Sequence, residues 1–81
     1  MDIVDDIRTF MANQLSIPNA KELDPETALV REGIIDSIEV MQIVMFIEGR
    51  FGIEIDETEI LPANFRSLNA MGAYVRSKIA S

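Results

Sequence analysis

The sequence predicts an all-α fold, a small four-helix bundle with three longer helices and one short one and a long loop between the first two helices. Two observations carry that expectation. Apolar residues recur at helical spacing in three separate stretches, and no β-branched alternation runs long enough to build a sheet. The size is consistent with one domain, residues 1–81, in which a chain of 81 residues buries only about 60 to 65% of the surface it exposes when unfolded.

Residues 2–15 place Ile3, Ile7, Phe10 and Met11 on one stripe, with Asp5, Asp6, Arg8 and Thr9 mostly opposite, which is a first amphipathic helix. Residues 16–35 hold two prolines, a glycine and scattered charges, and suit a long connection with one turn of helix in it. A second helix begins at Asp36, because Asp followed three residues later by Glu39 is a capping-box-like pair and an acid favours the positive end of the helix dipole. After Phe51-Gly52 an acidic stretch leaves room only for a short helix around Pro62. Ser67 then caps a last helix with Leu68, Met71, Val75 and Ile79 on one face.

At about 100° per residue, Val40, Ile43, Val44, Ile47 and Phe51 of the second helix share one arc and are assigned to the core. Ile38, Met41 and Met45 fall on a separate face beside Gln42 and Glu48. Three aligned apolar side chains away from the core, two of them adaptable methionines, form a candidate docking surface; the plainer alternative is a helix buried on more sides.

Composition narrows the function. At 48% apolar and 26% charged residues the chain is too hydrophobic for a disordered tail, and its longest apolar run is far too short to cross a membrane. An acidic N-terminus without a basic start or long apolar stretch points to the cytoplasm. Fourteen acids against seven bases give a net charge of −7, and residues 36–59 hold seven of the acids with Arg50 as their one base. Such a field repels nucleic acid and anionic membrane and steers toward a protein with a basic patch. Glu54, Asp56, Glu57 and Glu59 lie close together with only sequence-distant bases to offset them, so the sequence predicts mutual repulsion there. Neither "DPETALVREG" nor "DETEILPANF" supplies calcium ligands at EF-hand positions, and no metal site is assigned.

Ser37, in the first turn of the second helix, could be a mere cap or surface residue. As a nucleophile it would need a base, and the chain has no histidine and no local Ser-Lys pattern, so it assigns no catalytic residue and no enzymatic activity. The position does offer an exposed hydroxyl where unpaired N–H groups favour an attached phosphate.

The string Leu29, Gly33, Ile34, Ile35, Asp36, Ser37, Ile38, followed by an amphipathic helix ending in Phe51 and by Glu54-Ile55, resembles the acyl carrier protein family with its aminoacyl and peptidyl relatives. The resemblance covers nearly the whole chain. It implies a 4'-phosphopantetheine arm on Ser37, installed from coenzyme A by a Mg²⁺-using phosphopantetheinyl transferase that Asp36 assists. The arm's thiol would supply the sulfur that this cysteine-free chain lacks. It further implies a monomeric carrier of acyl or aminoacyl thioesters, served by a loading ligase and by downstream synthases or transferases. Ile38, Met41 and Met45 match family positions that contact partner enzymes. Gln42, Gly49 and Arg50 stand where the fatty-acid pattern expects acids, Phe46 where a small residue is common, and "GIIDS" in place of "GLDSL". Together they suggest a dedicated pathway. The rival reading is an unmodified interaction module that uses the Ile38, Met41 and Met45 face.

Overall fold

The structure is a computed structural model that describes residues 2–80. It has four α-helices and, among the described residues, no strand: α1 (Ile3–Asn13), α2 (Ser37–Phe51), α3 (Pro62–Phe65) and α4 (Leu68–Ala80). Single 3-10 turns at Ala20–Glu22 and Glu57–Glu59 interrupt the two longer connections.

The three longer helices each start where a side chain takes up a free N–H. Asp2 stands just outside α1 in extended conformation, its carboxylate accepting the Val4 and Asp5 N–H groups. The expected first helix, 2–15, is therefore shorter at both ends, since Asp2 caps it and Leu15 has already left it. Ser67 Oγ accepts the Ala70 N–H at 3.1 Å and opens α4, and Pro62 occupies the first turn of α3, where its missing N–H is no loss. α2 stops at Gly52, whose φ of 67° is a left-handed value that few side chains tolerate.

The core is built from Ile3, Ile7 and Met11 of α1, Ile43, Val44 and Ile47 of α2, Phe65, and Leu68, Met71, Tyr74 and Val75 of α4. α1 packs on both α2 and α4, and α3 packs on α4. On the outer side of α1 and α2, Phe10 stacks on Phe46 with ring centroids 4.5 Å apart, and Phe46 meets Phe51 edge-on. Phe10, Val40 and Phe51 are only half-buried and flank the core. Ile79, expected on the core face, is exposed, because the last turn of α4 runs past the buried stretch that ends at Val75.

The long connection from α1 to α2 is a working part of the bundle. It buries Ile17, Ala20, Leu29 and Ile35. Arg8 donates to the Leu23 carbonyl, Asn69 N–H to the Pro25 carbonyl at 2.9 Å, and Leu29 N–H to the Arg66 carbonyl at 2.8 Å. The Asn69 side-chain amide also donates to Glu26.

The expected repulsion among the acids after α2 is eased at Glu59, because folding brings a base to it. Lys78 Nζ, on α4, lies 3.2 Å from Glu59 Oε1, the same oxygen that accepts the Tyr74 hydroxyl at 3.1 Å. Lys78 holds the Glu59 carboxyl below its ordinary 4.5, and the Thr58 N–H and hydroxyl hold Asp56 below its ordinary 3.8. Burial and the bond to Glu59 push the Tyr74 hydroxyl up to about 12. The carboxyl pKa values are lowered on folding, so the stability they contribute is present above the ordinary values and lost as pH falls through the lowered ones. That of Tyr74 is present below its ordinary 10.0 and lost as pH rises through about 12. In melts followed by circular dichroism, Glu59→Gln should fall below wild type at neutral pH, and the gap should close as pH falls below 4.5 and through the lowered pKa of Glu59, where its carboxyl becomes neutral like the amide.

Candidate functional site

The site is assembled around the start of α2. Asp36 is extended (φ −110°, ψ −178°), and its Oδ1 accepts the Glu39 N–H at 2.8 Å while Glu39 Oε1 accepts the Asp36 N–H at 3.0 Å. This is the reciprocal pair expected from the sequence. Oδ2 of Asp36 carries no hydrogen bond among the described residues, so one carboxylate oxygen is left for an external group. Ser37 follows as the first residue of α2, with its side chain exposed. The Ser37 and Ile38 N–H groups have no acceptor among the described residues, as the first turn of a helix requires. A phosphate esterified to Ser37 would find these donors and the positive end of the α2 dipole, so the residues present fit a phosphopantetheine arm.

One glycine and a short turn bring Asp36 and Ser37 to the surface. Gly33, at φ 75°, reverses the chain, its N–H donating to the Val30 carbonyl at 3.0 Å, and the next two N–H groups both turn back to the Leu29 carbonyl. Ile35 is thereby buried and the next two side chains point outward.

The face of α2 assigned to partners is open. Ile38 is 71% exposed, Met45 67% and Met41 45%, whereas Ile43, Val44 and Ile47 are at most 3% exposed, so the two apolar faces of this helix are physically distinct. Gln42 and Gly49 are exposed beside them. Glu48 is half-buried, and its Oε2 accepts the Ile55 N–H at 2.9 Å, which ties the end of α2 to the following segment. Arg50 is paired with Asp6 of α1 at 3.3 Å.

Sequence reasoning did not find the apolar groove beside Ser37. It has a volume of about 610 Å³ and runs between α2 and the α3 corner, lined by Val40 and Met41 on one side and Ile60, Leu61 and Phe65 on the other. Its residues come from three separate stretches of chain, and a single helical wheel cannot show them together. The signal was the apolar pair Val30 and Leu61 in the two connections, which the structure leaves exposed.

Comparison with known proteins agrees with this geometry. Residues 5–75 match the family described as "Phosphopantetheine attachment site". Proteins named acyl carrier protein align with most of the chain: that of Wolinella succinogenes is 37% identical over 59 residues, covering 73% of this chain and 76% of its own. That of Helicobacter hepaticus is 34% identical over 59 residues with the same coverage, and that of Campylobacter hominis 33% over 60 residues, covering 73% of each. The chain belongs to the acyl carrier protein family: it is a carrier bearing phosphopantetheine, and not an enzyme. No helix among the described residues is long and apolar enough to cross a membrane.

The contrast between the two faces of α2 is testable by charge insertion. Met41→Glu and Met45→Glu should each change stability by no more than about 0.5 kcal/mol, as exposed substitutions do. Val44→Glu, which puts a charge in the core, should abolish the cooperative melt seen by circular dichroism.

Proposed function

We propose that Ser37 is the residue that carries the phosphopantetheine arm and that the whole chain acts as one carrier domain presenting acyl thioesters to successive enzymes. The observation that carries the reading is the exposed Ser37 side chain in the first turn of α2, beside two unpaired N–H groups and the free oxygen of Asp36. When bound, the arm supplies the thiol on which cargo is held as a thioester.

The chain's own residues do the rest. The capping pair Asp36 and Glu39 fixes where the arm is rooted, and the free Asp36 oxygen is the group a transferase would use to position its metal. Ile38, Met41, Met45 and Gln42, with Glu48 at the end of the strip, present the surface on which the transferase, the loading ligase and the downstream synthases or transferases dock. The groove beside Ser37 gives the acyl chain apolar walls and so keeps it out of water between visits.

Acyl cargo is favoured over aminoacyl cargo by the names of the relatives and by the apolar lining of the groove. A dedicated pathway is favoured over bulk fatty-acid synthesis by the exposed strip of α2. Gln42 and Gly49 leave it short of acids, and Arg50 is drawn to Asp6. A bulk fatty-acid partner with a basic docking patch would find little charge to meet there.

The test is intact mass. Incubation with coenzyme A and a phosphopantetheinyl transferase should add one phosphopantetheine to the wild type and none to Ser37→Ala; equal labelling of both would place the arm elsewhere.

A further inference from the structure

Residues 57–65, the turn Glu57–Glu59 and α3, close most of their backbone bonds on themselves. The Ile60 N–H donates to the Glu57 carbonyl at 3.1 Å and the Leu61 N–H to the Glu59 carbonyl at 2.9 Å. The Asn64 and Phe65 N–H groups share the Leu61 carbonyl, and the Asn64 side-chain amide donates to the Glu59 carbonyl at 2.8 Å. A single 3-10 turn and a four-residue helix have no stability of their own. The segment keeps its shape because side chains hold it on α4.

Two of those holds come from one residue. The Tyr74 hydroxyl donates to Glu59 Oε1 at 3.1 Å near the start of the segment. The ring of the same tyrosine meets the Phe65 ring at its end, with centroids 5.4 Å apart and planes tilted by 52°. Tyr74 is 9% exposed and Phe65 3%, so water competes little for either contact. Lys78, one turn further along α4, adds its Nζ to the same Glu59 oxygen at 3.2 Å. Both members of that ion pair are about one-third exposed, and solvent screens it.

We propose that residues 57–65 form a strap that opens as one unit, and that Tyr74 is its clasp, fastening both ends through a single side chain. Opening separates Glu59 and Phe65 from α4 together, and the turns between them then lose their bonds at once. The strap carries Ile60, Leu61, Pro62 and Phe65, which line the groove beside Ser37, whereas Tyr74 lies outside that lining. The position of this wall is thus set from α4, by a positioning residue that does not border the groove. The proposal concerns the unmodified chain and is independent of the assignment of Ser37.

Tyr74→Phe keeps the ring on Phe65 and removes the hydroxyl from Glu59, so it releases the front of the strap alone. Amide hydrogen exchange of the unmodified chain, followed at a series of low denaturant concentrations, reads the result. In the wild type the Ile60, Leu61, Asn64 and Phe65 amides should depend weakly on denaturant, and those of Ile47 and Val75 steeply, as global unfolding requires. In Tyr74→Phe the four strap amides should exchange faster by one common factor of about ten, Phe65 included although its ring contact is intact. In a Glu59→Ala background, where the hydroxyl has lost its acceptor, Tyr74→Phe should add no such acceleration.

Three results overturn the proposal. If the wild-type strap amides are as steep in denaturant as Ile47, the segment opens only with the whole bundle. If Tyr74→Phe speeds Ile60 and Leu61 but not Asn64 and Phe65, or speeds none of them, the two ends are not fastened together. If it speeds the strap equally with and without Glu59, the hydroxyl is not the fastening.

Discussion

Leu29 is the point on which the site depends. Its side chain has no exposed surface, its N–H donates to the Arg66 carbonyl at 2.8 Å, and its own carbonyl takes the Ile34 and Ile35 N–H groups at 2.9 and 3.3 Å. One residue in the middle of a long connection thus satisfies its own backbone and that of three neighbours, which is what a buried loop must do to exist. It also decides geometry downstream. The turn closed on Leu29 sends Ile35 inward and leaves Asp36 and Ser37 outside, and the bond to Arg66 sets the α3 corner against α2 so that a groove opens between them. A connection free of the bundle would give α2 a start but no groove beside it.

Charge is sorted by the same fold. The acids after α2 look unbalanced along the chain but are met across space by Lys78 and Tyr74, and Arg50 is spent on Asp6 across the α1–α2 face. Among the described residues four of the seven bases, Lys21, Arg31, Arg66 and Arg76, are in no ion pair, and Arg31 and Arg66 are among the residues that line the groove. Electrostatics here follows from which segments the core brings together, since net charge alone would predict an acidic surface throughout.

How much of this was legible in the sequence depended on range. Local rules found the capping pair at Asp36 and Glu39, the cap at Ser67, the turn at Pro62 and the two faces of α2, because each is set by residues within a few positions of one another. They misjudged what depends on distant contact. Ile79 has the right period for the core, yet the helix outlasts its neighbours there. Lys78 is nineteen residues from Glu59, and no periodicity announces their meeting. The groove escaped for the same reason, being made by Val30, Met41 and Leu61 from three segments. Ser37 is proposed from local chemistry and resemblance together, since a serine in a first turn is common and only its surroundings give it meaning.

The shortness of α3 gives the groove an energy scale of its own. Its four residues are held by Asn64 and Phe65 N–H groups on the Leu61 carbonyl and by the Asn64 side chain on the Glu59 carbonyl, so its hydrogen bonds stay almost wholly within the segment. A helix this short has no cooperative stability to lose. Moving that wall aside breaks a turn's worth of bonds, the Leu29 bond to Arg66 and the packing of Phe65 on Tyr74, but leaves α1, α2 and α4 in contact, so local opening lies below the free energy of global unfolding. Small rearrangements on one side can then change the width of the groove, while Ser37, next to the capping pair on the opposite wall, keeps its place.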